Sequence, residues 1–261
     1  VNCLCKTNPE MSYLSFHLIF LAPPILLMLM FPRRPRQMDD DLRVDLAIPT
    51  VCLIAFTYTT PWDNYLVAQE VWWYGTNRVI GTIGHVPVEE YMFFVLQPLL
   101  TGLFLYQYLY WAPPSPKKYS PAASWTGAAV FGGLTAIGAF FLLDGRPTTL
   151  YLALILVWAP PILAGMWLYD GETLWALRRT VFVTAGLPTL YLWGADATAI
   201  HSKIWTIAPK YTIGASFLGL PLEEALFFLF TNLLVVQGIL LLLYGAHRAV
   251  TPNQPTRLTS P

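Results

Sequence analysis

Seven apolar stretches, Tyr13–Phe31, Val44–Pro61, Val88–Trp111, Trp125–Leu143, Leu150–Tyr169, Thr180–Gly194 and Leu218–Tyr244, take up most of the 261 residues, with short connections between them. Each approaches the roughly 20 residues that an α-helix needs to cross a bilayer. Inside hydrocarbon every backbone N–H and C=O must be satisfied by the segment itself or its neighbours, which makes helices the structure for such runs. With 56% hydrophobic and 11% charged residues, little material is left for a separate soluble domain. The predicted fold class is all-α and integral to the membrane, with seven transmembrane helices.

Two of the stretches open on one phrase. Pro87-Val88-Glu89-Glu90-Tyr91-Met92-Phe93-Phe94 returns about 134 residues later as Pro221-Leu222-Glu223-Glu224-Ala225-Leu226-Phe227-Phe228. Acids heading an apolar helix cost roughly 2.5 kcal/mol or more each at the helix centre, so they carry a functional hypothesis by default. Other residues fall into register: Ala22-Pro23-Pro24-Ile25-Leu26 with Ala159-Pro160-Pro161-Ile162-Leu163, Asp63 with Asp196, Trp72 with Trp205, and Gly81 with Gly214. Each half is then three spans with a long loop before the third, and Trp125–Leu143 is the odd span between them. Three crossings would invert a fused second copy, and one added span restores its orientation. The expectation is two parallel three-helix repeats joined by a linking helix, with the site where they meet. The boundaries are an N-terminal appendage over 1–11, the first repeat over 12–112, the linking helix over 113–148, the second repeat over 149–247 and a cytoplasmic tail over 248–261.

Charge gives the orientation. Arg33, Arg34, Arg36, Arg43, Lys117, Lys118, Arg178, Arg179, Arg248 and Arg257 lie on one side of this topology, against Lys6, Arg78, Arg146, Lys203 and Lys210 on the other. Ten cations against five place the C-terminus in the cytoplasm and the N-terminus outside a multi-pass cell-membrane protein. Zero net charge offers no basic footprint for nucleic acid. Cys3, Cys5 and Cys52 form neither a metal nor a disulfide framework, and Cys52 reads as packing. The first apolar run ends on Phe31-Pro32-Arg33-Arg34, a stop-transfer pattern, so no cleaved signal peptide is expected.

Proline at the head of a helix and glutamates in its first turn are also ordinary helix-start chemistry. Val86 and Leu220, however, are poor N-caps, and solvated first-turn acids would not need the same Phe-Phe pair in both halves. Gln97 and Thr101 lie seven and eleven positions beyond Glu90, on one helical face, and Thr231 lies seven beyond Glu224. Such a polar stripe faces protein or a cavity. The paired prolines read as packing kinks. Desolvation favours the neutral form of a carboxyl, and a neighbouring carboxylate favours it further. A proton donor beside aromatic faces suits the making and guarding of a carbocation, and inside a bilayer the matching substrate is a polyene or isoprenoid chain.

Thr60-Pro61-Trp62-Asp63-Asn64-Tyr65, Val71-Trp72, Val79-Ile80-Gly81, the two Pro-x-Glu-Glu phrases with Phe93-Phe94 and Phe227-Phe228, and Thr231-Asn232-Leu233 together resemble the integral-membrane lycopene cyclases. That family occurs as heterodimers of two small membrane proteins, as a fused chain, and as the N-terminal half of a bifunctional fungal enzyme with phytoene synthase behind it. The resemblance runs from Ser12 to Tyr244 and is to the fused form without the synthase. It implies a lycopene β-cyclase: protonation of the terminal double bond of an acyclic carotenoid, ring closure of the carbocation, and proton loss to leave a β-ionone ring. The family phrase favours Glu89 and Glu223 as the acting acids, while the helical-face argument favours Glu90 and Glu224. All four are candidate catalytic residues, with Asp63 and Asn64 next as base or orienting groups and Asp196 in a weaker role. Candidate substrate contacts are Trp62, Asn64, Phe93, Phe94, Gln97, Phe227, Phe228, Thr231 and Asn232. No cofactor is expected, since no Gly-rich dinucleotide fingerprint follows a strand. The implied partners are lycopene or a related acyclic carotenoid, membrane lipid and other carotenoid-pathway enzymes.

Three other readings compete. A proton-coupled transporter can share the repeat plan, but Phe, Leu and Tyr around the acids do not make a hydrophilic path. In a membrane prenyltransferase, Asp39-Asp40-Asp41 would hold Mg²⁺ and a diphosphate; no second Asp-rich cluster exists, and a solvated loop beside Arg33, Arg34 and Arg36 accounts for it. A retinal protein needs a Lys within the seventh span, which has none. His17, His85, His201 and His247 lack metal-ligand spacing, so no metal site is expected.

Overall fold

The computed structural model describes residues 11–36, 41–114, 121–217 and 219–245. The appendage before Met11, the tail, Leu218, Asp39, Asp40 and the cations Lys6, Lys117, Lys118, Arg248 and Arg257 lie outside the described residues. Helices dominate. In chain order they are α1 (Tyr13–Phe16), a π-helical turn (His17–Leu21), α2 (Ala22–Met30), α3 (Asp41–Ala68), α4 (Val88–Trp111), α5 (Pro121–Asp144), α6 (Leu150–Trp158), α7 (Pro160–Ala176), α8 (Arg178–His201) and α9 (Leu222–Tyr244). Among the described residues six stretches are long and apolar enough to cross a membrane: Tyr13–Met30, Asp41–Ala68, Val88–Trp111, Ala122–Asp144, Pro147–Ala176 and Leu222–Tyr244. The remaining stretch expected as a span, Thr180–Gly194, lies within a 24-residue helix, α8. It is not among the six, because Arg178, Arg179, Asp196 and Thr180, Thr184, Thr189 and Thr198 dilute its hydropathy.

The all-helical expectation needs correction. The loops before α4 and α9 carry short strands: β1 (Trp72–Tyr74), β2 (Thr82–Ile83), β3 (Val86–Pro87), β4 (Trp205–Ile207), β5 (Ser216–Phe217) and β6 (Leu220–Pro221). β2 and β3 form one hairpin, and β5 and β6 another. β1 and β4 pair antiparallel, with Trp72 opposite Ile207 and Tyr74 opposite Trp205, and so tie the two loops together. The turn of the first hairpin needs a glycine: Gly84 has φ +65°, and a Cβ there would stand 2.5 Å from Asn64 Oδ1.

Proline does not end helices here as it would in water. Pro49 and Pro61 lie inside α3, so Asp63 sits within that helix instead of at its end. Freed carbonyls are tolerable where neighbouring helices supply donors. Pro24 cannot donate to Phe20 four residues back, and the Tyr191 hydroxyl donates to the Phe20 carbonyl instead, at 2.7 Å. Beside the second proline pair, the Tyr58 hydroxyl donates to the Trp158 carbonyl at 3.0 Å. The helix is broken at both pairs, by the π-helical turn before Ala22 and at Ala159 between α6 and α7.

α3, α4, α8 and α9 pack on one another, while α5 packs on α6 and α7. One apolar cluster joins Val44, Ile48, Val51, Leu105, Leu109, Val236, Ile239 and Leu240 at the end of the bundle remote from the Glu pairs. Cys52 belongs to it, buried as expected. At the other end, Tyr13, Phe16, Phe93, Leu192, Trp205 and Phe228 form a second cluster, and Trp72, Tyr151, Trp158 and Leu163 belong to a third. Asp41 and Asp45, in the first turns of α3, both bond Arg34 and are exposed.

Candidate active site

The two Glu-Glu phrases begin α4 and α9, and their members part company at once. Successive helical residues differ by about 100° around the axis, so adjacent acids cannot face the same surroundings. Glu89 turns back to its loop, where Oε1 accepts the Ile80 backbone N–H at 2.8 Å. Glu223 does the same with Ile213, also at 2.8 Å. These two acids hold the loops that precede their helices. Glu90 and Glu224 instead line one cavity, together with Asp63 of α3 and Asp196 of α8.

Aromatic side chains wall that cavity: Tyr13, Phe16, Trp72, Tyr74, Phe93, Tyr151, Trp205, Phe227 and Phe228, with Ile207. Its volume is about 40 Å³. Tyrosines orient the acids. Glu90 Oε2 accepts the hydroxyl of Tyr13 at 2.7 Å and that of Tyr74 at 2.9 Å. Glu224 Oε1 accepts the hydroxyl of Tyr151 at 2.7 Å. Each half thus sends a tyrosine from its first span to its own glutamate. The Trp205 indole N–H donates to Asp196 Oδ1 at 2.9 Å, while Asp63 Oδ2 and Asp196 Oδ2 are buried without a partner. Burial and the neighbouring Glu90 carboxyl hold the Tyr74 phenol well above its ordinary pKa, so it stays protonated and donating.

A second, larger cavity of about 430 Å³ runs between α3, α4, α7 and α9. It shares Phe93 and Phe227 with the acid cavity and continues past Gln97, Ile162, Thr231 and Gly238 to Leu241 and Leu242. From Phe227 to Leu242 is about 22 Å along α9 at 1.5 Å per residue. Apolar side chains dominate this trough. It adjoins the acid cavity at Phe93 and Phe227, which line both.

The predicted residues divide accordingly. Asp63, Glu90, Glu224, Phe93, Phe227 and Phe228 line the acid cavity, and Phe93, Phe94, Gln97, Phe227 and Thr231 line the trough. Trp62 stands behind Phe227, stacked on it and on Trp158 with ring centroids 5.8 and 4.5 Å away. Asn64 lines neither cavity: its Oδ1 accepts the His85 backbone N–H at 3.0 Å, and its amide donates to the Tyr91 hydroxyl. It is a clamp on the first hairpin. Asn232 is also outside both cavities. Its Oδ1 accepts from Gln97 at 2.7 Å and Thr101 at 2.6 Å, and its amide donates to Thr189 at 3.0 Å, binding α4, α8 and α9 through a fully buried polar cluster. Thr231, expected in the polar stripe with Glu224, bonds its own helix at the Phe227 carbonyl.

Tyr13, Tyr74, Tyr151 and Ile207 line the cavity without belonging to any motif that points there, and Asp196 lines it with Asp63. Trp72 and Trp205 had been matched across the halves, and alternation along a strand would have added Tyr74 and Ile207 to their face. Tyr13 and Tyr151 are offset by one position relative to the proline pairs, which hid their correspondence. Among the described residues no group of three or more His, Cys, Asp or Glu is arranged to hold a metal ion.

A family model described as lycopene cyclase matches residues 10–109 and 148–242. The two matched stretches take in both Glu phrases and leave out the segment around α5. A protein from Halobacterium salinarum named lycopene beta-cyclase is 38% identical over 235 residues, covering 88% of this chain and 95% of that relative. Proteins named bifunctional lycopene cyclase/phytoene synthase, from Arthroderma gypseum and Leptosphaeria maculans, are 35% and 34% identical, and this chain spans 41% and 40% of their lengths. No solved structure matches. A match over both halves, together with acids, aromatic walls and an apolar trough in one site, leads to one assignment: the chain belongs to the lycopene cyclase family.

Proposed function

We propose that the protein is a lycopene β-cyclase, converting the acyclic end group of lycopene or a related carotenoid into a β-ionone ring without net redox change. The observation that carries this reading is the junction of a long apolar trough with an aromatic cavity holding four carboxyl groups. The polyene lies in the trough with its end group past Phe93 and Phe227. A carboxyl of Glu90 or Glu224 protonates the terminal double bond, as general acids do within hydrogen-bonding reach. The chain folds on itself to give a cyclic carbocation, which the aromatic faces stabilise. A carboxylate then removes the proton that leaves the ring alkene, so the site ends as it began. Asp63 and Asp196, each with a free oxygen in the cavity, serve as the bases or proton stores. Glu89 and Glu223 are positioning residues.

The matched features of the halves support two parallel three-helix repeats over 12–112 and 149–247, joined by a linking helix, with α8 as the seventh crossing. These features are the Glu-to-loop bonds, the hairpins and the broken proline pairs. The cation distribution supports a cell-membrane protein with its N-terminus outside and C-terminus in the cytoplasm, so the acid cavity lies near the outer face. Membrane lipid and other carotenoid-pathway enzymes are its expected partners. Expression in cells that accumulate lycopene is the test. Cyclic carotenoid in the extract is the expected result, and unchanged acyclic pigment with the protein present in the membrane would refute the reading.

A further inference from the structure

The β1–β4 pair closes the acid cavity on the side of the loops. Because side chains alternate along a strand, Trp72 and Tyr74 share a face with Trp205 and Ile207 across the register, and all four line the cavity. Trp73, between them, points the other way and is 46% exposed. The ladder extends beyond the strands, with Ala208 N–H donating to Val71 O at 2.8 Å and Gly75 N–H to Ile204 O at 3.0 Å. Every polar hydrogen on the inward face is committed. The Trp72 indole donates to the Tyr74 hydroxyl at 3.0 Å, Tyr74 to Glu90, and the Trp205 indole to Asp196. An indole has one N–H to give, so this roof offers no donor to hold a water molecule. Below it, Asp63 Oδ2 and Asp196 Oδ2 are buried acceptors with no partner, and these would seize any water that entered.

Resting on the cyclase reading above, we propose that this two-stranded roof determines the product, by keeping water from the cyclic carbocation so that it ends in proton loss. Two fates compete for that cation. Loss of a ring proton to a carboxylate gives the ring alkene. Attack by water forms a C–O bond at the cationic carbon, and loss of a proton from the added water gives a tertiary alcohol, one water heavier than the alkene. Ile207 is the residue to probe, since its side chain fills roof space and makes no hydrogen bond, and the ladder bonds of β4 are backbone bonds.

The experiment supplies lycopene to membranes carrying the full chain or its variants, in water enriched in heavy oxygen, and follows the pigments by mass. Ile207→Ala is expected to yield a hydroxylated ring product carrying the heavy isotope, at a share of total ring product about tenfold or more above wild type, a ratio set by the relative barriers of the two fates. Trp73→Ala, on the outward face, is expected to leave the product pattern unchanged. Ring alkene alone from Ile207→Ala would overturn the roof's role and leave the cyclase reading standing. No ring product from wild type would overturn both. If Ile207→Ala fails to accumulate in the membrane, Ile207→Val takes its place under the same criteria.

Discussion

Replacing the glutamates one at a time by glutamine separates the two roles that the geometry assigns within each pair. At Glu224 the amide oxygen still accepts the Tyr151 hydroxyl now held at 2.7 Å. The structural loss is about 1 kcal/mol or less, since a carboxylic acid and an amide are both neutral acceptors of that bond. The chemical loss is larger. General acid–base catalysis contributes about 10²–10⁴-fold, or about 2.7–5.4 kcal/mol of barrier, and the amide cannot supply that proton. Glu224→Gln should therefore fold, reach the membrane and form ring product at no more than about one-hundredth of the wild-type rate. At Glu223 the balance reverses. The amide oxygen can keep the Ile213 N–H bond now at 2.8 Å, so Glu223→Gln should be near normal in both stability and turnover. Glu223→Ala strands that N–H and should cost about 1–3 kcal/mol of stability. The assay is pigment analysis in lycopene-accumulating cells, normalised to protein in the membrane. Loss of ring product in well-folded Glu223→Gln, with Glu224→Gln active, would refute this assignment of roles.

The other predictions concern the surroundings. Tyr13→Phe and Tyr74→Phe each remove one of the two hydroxyls on Glu90 Oε2; a bond to a charged group is worth about 1.5–3 kcal/mol, so turnover should fall about 10- to 100-fold at unchanged membrane level, and unaltered turnover in the double variant would dismiss the orienting role. Gly238 lines the trough, and a Cβ there would meet Val51 at 3.5 Å in ordinary contact; Gly238→Ala should be active while Gly238→Phe blocks the polyene and ends cyclisation, which binding of lycopene to the purified variant would check. Asn232→Leu leaves Gln97 and Thr101 with buried donors unpaired, and a loss of about 1–3 kcal/mol per stranded group should appear as a clear fall in thermal stability in detergent, with the remaining folded protein still competent.

The hydropathy pattern located α4, α5 and α9 to within a few residues and the start of α3, though not its end, because hydrocarbon allows a long apolar segment little besides helix. The doubled Pro-x-Glu-Glu phrase located the site for a similar reason, since paired acids beside lipid are too costly to keep without use. Both arguments need only residue type and neighbours along the chain. They were weaker at α8, where threonines and charges dilute the helix, and blind to the short strands, which exist because two loops distant in sequence meet as β1 and β4.

Which glutamate of each pair enters the cavity is left open by the sequence, where the helical-face argument favours Glu90 and Glu224 and the family phrase Glu89 and Glu223; Glu90 and Glu224 are the two that line it. That choice depends on where the Ile80 and Ile213 N–H groups return in space, and they return to Glu89 and Glu223. Asn64 and Asn232 belong to motifs that point to the site, yet each spends its amide on a structural bond, because burial leaves no polar group free of a partner without cost. Tyr13, Tyr74 and Tyr151 reach the acids from other spans and from a strand, across gaps that no local period encodes. Composition and repetition along the chain thus determined the membrane helices, the duplication and the identity of the acids. The packing of the halves decided which acids share the cavity, because orientation in a helix bundle depends on distant residues that only the folded chain brings within hydrogen-bonding distance.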